Sequence, residues 1–285
     1  MTIDDYLRLA RRQLEESGIA SGEAAISAEV LAREALGWER SRLFSALSDD
    51  PPNGFDATFA QLILRRAAGE PTAYIVGRRE FWGLDFEVTP DVLVPRPDTE
   101  LVVEETMKIF GGRTGDSIVA ADVGTGSGCL AVVLARLLPR SRFVATDVSL
   151  AALKVAARNA RRHGVSVRVD LVLADLLHGI GGPLDLVVSN PPYVPRVRME
   201  GLQREIRNHE PQKALDGGPD GLDLVRRLLP EAASRLRPGG WLVFEFGYGQ
   251  EQDVMTLVAG TGGLEVHHVA VDLQGIPRTA IVLRS

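Results

Sequence analysis

The spacing of apolar positions divides the chain into three stretches. From Ile3 to about Ala68 they recur at helical intervals, as in Tyr6, Leu7 and Leu14, then Ala28, Leu31, Ala32, Ala35 and Leu36. After the break Pro51-Pro52-Asn53-Gly54 the same spacing returns in Phe59, Leu62, Ile63 and Arg66. This predicts a small helical bundle. Thr72 to Val94 has strand-like composition, in Tyr74-Ile75-Val76, Phe81-Trp82-Gly83 and Phe86-Glu87-Val88, and predicts a β-hairpin joining two domains. Pro95-Arg96-Pro97-Asp98-Thr99-Glu100 ends that connector and opens a helix with Asp98 or Thr99 as its N-cap.

From Ser117 onward short apolar runs alternate with helical patterns. Strands are predicted at Ile118–Asp122, Arg142–Thr146, Val167–Leu173, Leu184–Ser189, Trp241–Phe246, Leu264–Asp272 and Thr279–Leu283. Helices are predicted at Leu130–Leu138, Leu150–His163 and Leu222–Leu236. Such alternation predicts an α/β fold, Rossmann-like, with a mainly parallel sheet, helices on both faces and ligands at the carboxyl ends of the strands. The expected division is a helical domain over 1–71, a β-hairpin connector over 72–97 and an α/β domain over 98–285.

Composition narrows the class. Across 285 residues, 45% hydrophobic and 25% charged content describe a globular protein, and no apolar run approaches the ~20 residues of a membrane span. The acidic start Met1-Thr2-Ile3-Asp4-Asp5 resembles neither a signal nor a transit peptide, so a cytoplasmic location is expected. A net charge of −6 lacks the basic footprint of a duplex nucleic-acid binder, and residues 1–90 hold ten Arg against fifteen Asp and Glu. That excess is either a solvated surface or a docking face for a basic partner. The single cysteine, Cys129, excludes an internal disulfide and reads as a small buried residue; the histidines lack metal-ligand spacing, and no metal site is expected.

Two motifs carry the chemistry. In Asp122-Val123-Gly124-Thr125-Gly126-Ser127-Gly128 the glycines follow a strand and precede a helix, which suits a tight turn with close approach to a ligand. Cys129 stands where a dinucleotide fingerprint has Gly or Ala, so a nicotinamide cofactor is the weaker reading of this turn. Asp147, ending the next strand, suits both hydroxyls of a ribose, or else a helix cap. Asp175 suits an adenine amino group with Leu176 covering the ring, or else a simple turn.

The second motif, Ser189-Asn190-Pro191-Pro192-Tyr193, ends the apolar run Leu186-Val187-Val188. Its prolines hold Asn190 and Pro191 extended, so that the Asn190 side-chain oxygen, the Pro191 carbonyl and the Tyr193 ring suit a planar group bearing an NH2. An ordinary strand-ending turn uses the same residue types. Arg96, where two domains must meet, is a candidate for closing the site or a plain surface charge.

In this order, the glycine loop, Asp147, Asp175 and Asn190-Pro191-Pro192-Tyr193 resemble class I S-adenosylmethionine-dependent methyltransferases that act on amino groups. With Pro95 to Glu100, Glu210-Pro211, Ala214-Leu215, Gly217-Gly218, Glu245-Phe246-Gly247 and Asp272 to Arg278, nearly the whole chain resembles the peptide chain release factor glutamine N5-methyltransferase family. Leu176 departs from it, standing where some members carry an aromatic residue. The resemblance implies methyl transfer from S-adenosylmethionine to the side-chain amide nitrogen of the glutamine in the Gly-Gly-Gln motif of class I release factors. It implies Asn190 and Pro191 as catalytic residues, with Pro192 and Tyr193 also on the substrate. Gly124, Thr125, Gly126, Ser127, Gly128, Asp147, Asp175, Leu176 and Asn190 would hold the cofactor. The partner is then a protein, met by the helical domain, and a monomer without membrane or duplex nucleic acid is expected. The rivals are an adenine-N6 or guanine-N2 nucleic-acid methyltransferase, which would need a basic surface, and a non-catalytic cofactor-binding module.

Overall fold

A computed structural model of the chain describes residues 1–113 and 115–285. The chain forms two compact units, one of Met1–Arg78 with Gln203–His209, the other of Arg79–Leu202 with Glu210–Ser285.

In the first unit, α1 (Ile3–Glu16) starts on a capping box between Thr2 and Asp5, and α2 (Ser21–Leu36) stops at Gly37 in the left-handed conformation. With α3 (Arg40–Ser45) and α4 (Phe55–Ala67) they bury Ile3, Leu14, Leu31, Leu43, Phe55 and Ile63 in one core. The predicted strand at Tyr74-Ile75-Val76 is instead a helix, α5 (Thr72–Val76). Pro71 at its start and Gly77, left-handed, past its end frame one helical turn that buries Tyr74 and Ile75, and three residues are too few for periodicity to tell helix from strand. Arg66, only 2% exposed, pairs with Glu23 and lies 2.6 Å from Glu205 in α9 (Arg204–His209) of the later segment.

The second unit begins at Arg79, inside β1 (Arg78–Phe81), which pairs with β2 (Leu84–Glu87) across Trp82 and Gly83 at φ 53° and 70°, the two positive values a tight hairpin turn requires. This hairpin is anchored within its own unit. Asn159 accepts from the Glu87 N–H at 2.8 Å and donates to the carbonyls of Glu87 and Ser127. A short 3-10 turn (Pro97–Thr99) leads into α6 (Glu100–Phe110). Thr99 holds the N-cap position of α6, one of the two residues the sequence reading offers for it, but its side chain caps nothing, because its hydroxyl turns into the unit and bonds Glu245.

Seven strands follow: β3 (Val119–Val123), β4 (Arg142–Asp147), β5 (Val169–Leu173), β6 (Leu184–Ser189), β7 (Leu236–Glu245), β8 (Leu264–Val271) and β9 (Pro277–Arg284), in sheet order β5-β4-β3-β6-β7-β9-β8. The first five run parallel, and β9 is antiparallel to both neighbours. Alternate residues of each strand feed opposite layers. Ala120, Leu186, Val188, Val243 and Ile281 join a core with α6 and α7 (Cys129–Leu137), while Val187, Leu242, Phe244, Ala280 and Val282 meet α10 (Asp223–Arg235) and α11 (Glu251–Ala259). Burial on both faces explains the near-continuous apolar runs in the sequence. Among the described residues no helix is long and apolar enough to cross a membrane.

Candidate active site

The strand order reverses at β3, whose two neighbours are β4 and β6, and in such sheets ligands bind where the carboxyl ends diverge. Val123 pairs with Ser189 at that edge, so the glycine loop after β3 and Asn190 after β6 start side by side. The N–H groups of Gly124 and Thr125 both donate to the Thr146 carbonyl at 2.9 Å, which ties the loop to the end of β4. Gly124 and Gly126 have φ of 72° and 54° and would turn a Cβ into open space, whereas on Gly128, at φ 82°, a Cβ would lie 3.1 Å from the Ala156 Cβ of α8 (Leu150–Arg162). The first two glycines thus keep the loop open to a ligand, and the third lets α7 and α8 meet. Gly128→Ala is expected to lower the unfolding free energy by about 1–3 kcal/mol through backbone strain and that contact. Denaturant titration checks it; an unchanged midpoint would mean the helices separate freely.

Asp147 serves the same loop. One carboxylate oxygen accepts from the Gly126 N–H at 3.0 Å and the other from Ser149 at 2.8 Å. A cavity of about 460 Å³ opens above it, within the usual range for small-molecule sites. Its wall gathers Gly124, Thr125, Gly126, Ser127, Asp147, Asp175, Leu176, Asn190 and Pro192 from the sequence reading; Gly128, Pro191 and Tyr193 are not in that wall. Leu176 is buried with φ at 52°, a conformation rarely adopted by a branched apolar residue, and is held where its side chain reaches both core and cavity. Asp175 is more exposed and pairs with Arg227 at 2.6 Å.

Asp122 also lines the cavity, and the sequence reading gave it no role although it heads the glycine motif. It is 1% exposed; Oδ2 accepts from the Thr125 hydroxyl at 2.6 Å and the Ala131 N–H at 3.1 Å, while Oδ1 has no hydrogen-bond partner among the described residues. Burial pushes its carboxyl up to about 6, against those two bonds, with the nearby Asp147 charge adding to the rise. A buried carboxylate oxygen without a donor, beside two further aspartates, suits a ligand carrying positive charge. Burial likewise pushes the Cys129 thiol up to about 12, as befits a packing residue.

On the far side of the loop, Asn190 donates its side-chain NH2 to the Thr99 hydroxyl at 2.9 Å, and Thr99 donates to Glu245 at 2.7 Å. The Tyr193 phenol bonds the same carboxylate, whose charge, together with burial, raises the phenol's pKa. Gln250 fixes the Tyr193 carbonyl at 3.0 Å and accepts from the Gly247 N–H at 2.7 Å. Arg96 pairs with Glu210, a buried group that also accepts from the Val94 N–H; burial pushes the Glu210 carboxyl up against the pull of Arg96. Thr99, Asn159, Glu245 and Gln250 were all missed as site residues in the sequence, since each acts on a distant segment.

A reversed-order parallel sheet with one antiparallel strand, a glycine loop after its first strand and Asn-Pro-Pro-Tyr after its fourth define a class I methyltransferase. Residues 99–208 match the methyltransferase small domain, and the catalytic domain of hMettl16, in a structure with an RNA hairpin, shares the fold with a TM-score of 0.56 at 19% identity, over 78% of this chain and 81% of that one. Residues 5–77 match the PrmC N-terminal domain. The release factor glutamine methyltransferase of Moorella thermoacetica is 44% identical over 100% of this chain and 99% of its own length, and that of Geobacter sulfurreducens 43% over 97% and 95%. The chain belongs to the release factor glutamine methyltransferase family.

Proposed function

We propose that this chain transfers the methyl group of S-adenosylmethionine to the side-chain amide nitrogen, N5, of the glutamine in the Gly-Gly-Gln motif of class I release factors. The observation that carries the reading is the orientation of Asn190, whose NH2 is taken up by Thr99, which leaves its oxygen as an acceptor for an incoming amide NH2. An amide nitrogen is a weak nucleophile, so orientation matters more here than a strong base. Asn190 Oδ1 and the Pro191 carbonyl would each accept one N–H, holding the nitrogen in line and favouring the positive charge that develops on it. Tyr193, tied to Glu245, would pack on the amide plane. The proton can leave after the methyl has arrived, so no general base is required.

The cavity fits the cofactor: the Gly124–Ser127 loop would lie along it, Asp147 would accept from the ribose hydroxyls, and Asp175 with Leu176 would meet the adenine. Asp122, with its unpartnered oxygen, would receive the cofactor's ammonium group. S-adenosylmethionine, when bound, supplies an electrophilic methyl on a sulfonium. Because Asp122 takes up a proton as pH falls through about 6, affinity for the cationic cofactor is expected to drop about tenfold between pH 7 and pH 5. Calorimetry across that range checks this, and Asp122→Asn should bind weakly at both ends without the slope.

The helical unit, acidic in sequence, would receive the protein substrate, with the chain acting as a monomer. The cytoplasm, where release factors act, is the compartment this reading requires. Incubation with labelled S-adenosylmethionine and a purified release factor, followed by peptide mass mapping, tests it. Label is expected on the Gly-Gly-Gln glutamine; label elsewhere, or none, would overturn the assignment.

A further inference from the structure

We infer that Glu245 is a positioning residue that sets, through the Thr99 hydroxyl, which way the Asn190 amide faces, so that oxygen rather than NH2 is offered to the substrate. The inference rests on the reading of Asn190 as the acceptor for the reacting amide.

Glu245 ends β7, is 1% exposed and sits one strand over from Asn190, since Phe244 pairs with Ser189. Burial pushes its carboxyl up to about 6, against the bonds from Thr99 and Tyr193, with Asp98 raising it and Arg278 lowering it. At pH 8 it therefore carries no proton and can only accept. Both hydroxyls that reach it, Thr99 at 2.7 Å and Tyr193, must then donate. A hydroxyl has one proton, so Thr99, having given its own to Glu245, can only accept from Asn190. Asn190 accordingly turns Nδ2 to Thr99 at 2.9 Å, and its planar amide presents Oδ1 on the other side. The opposite rotamer would set two oxygens against each other with no proton between them. The Thr99 hydroxyl is turned inward to this relay and away from the first turn of α6, which is why it leaves that turn uncapped.

A role limited to holding shape makes a different forecast from a role in setting polarity. Glu245→Gln keeps the size of the side chain and lets both hydroxyls stay bonded, but its NH2 can donate to Thr99. Thr99 would then donate to Asn190, which would flip and present NH2 to the substrate. At pH 8, with saturating cofactor, kcat on a release factor is expected to fall at least tenfold, with cofactor Kd changed less than twofold. Asn190→Asp alone should also be slow, because its carboxylate faces a hydroxyl whose proton is already given to Glu245. In the double variant Asn190→Asp/Glu245→Gln, Thr99 is free to donate to one oxygen of the introduced carboxylate, and the other oxygen faces the substrate. The double variant should therefore turn over faster than either single variant. A double variant no faster than the singles would overturn the inference, as would a Glu245→Gln enzyme with normal kcat. Should Glu245→Gln not fold, Thr99→Ser is expected to stay within about threefold of the parent kcat and Thr99→Val to lose at least tenfold; normal turnover in Thr99→Val overturns the inference as well. Asn190→Ala separates the two levels: if it loses turnover while Glu245→Gln does not, only the polarity relay fails, and if it keeps turnover the underlying role of Asn190 fails.

Discussion

Asn190→Ala is expected to lower kcat on a release factor by about a hundredfold or more and to weaken cofactor binding far less. Removing one preorganised group from a site where charge develops commonly costs roughly 10²–10³ in rate. The loss here combines two effects, a missing acceptor for the substrate NH2 and a reacting nitrogen free to rotate out of line. Thr99 loses the bond it accepts but keeps the one it gives to Glu245, so the fold is little affected. Steady-state rates on a purified release factor, set beside calorimetric titration of S-adenosylmethionine, provide the check. Near-normal kcat would remove Asn190 from the mechanism.

Asp147→Ala should act on the other half of the site. The proposed pair of ribose bonds is charge-assisted, each worth roughly 1.5–3 kcal/mol, so the cofactor Kd is expected to rise about 10²- to 10⁴-fold. The same change also releases the Gly126 and Ser149 N–H groups now held at 3.0 and 2.8 Å, loosening the loop on which the cofactor would lie. Asp147→Asn retains one acceptor and should fall between the two. Wild-type affinity in Asp147→Ala would refute the placement of the ribose, and an equal loss in both variants would put the weight on the carboxylate's charge rather than on the loop's geometry.

Much of this architecture could be read from residue order because its determinants are local. Strand runs buried on both faces, glycines between a strand and a helix, and prolines that stop β6 all act over a few neighbours. Tyr74-Ile75-Val76 misled because its helix is decided by Pro71 and Gly77 and by burial of Tyr74 and Ile75. The Thr99 side chain misled for a deeper reason. Its partner lies 146 residues away, and before a helix a threonine resembles a cap, so nothing local distinguishes the two uses. Asp122 was visible in its motif, but that one of its oxygens is buried without a donor depends on where β3, the loop and α7 come together. The left-handed backbone of Leu176 leaves no signature either, since a leucine carries none of the conformational licence of a glycine.

The return of Gln203–His209 to the helical unit has a bearing on the order in which the protein can mature during synthesis. Residues 1–78 leave the ribosome first, yet Arg66, buried among Glu23, Ser27 and Glu205, receives its last carboxylate more than a hundred residues later, after β3 to β6 have been made. At about 5–20 residues per second that is a wait of roughly 7 to 28 seconds. Through that interval the nascent helices hold a buried guanidinium with part of its charge partners still to come. Their final consolidation is timed by translation of the segment just past Asn190-Pro191-Pro192-Tyr193, so a stalled or truncated chain would carry a helical unit that is formed but not finished.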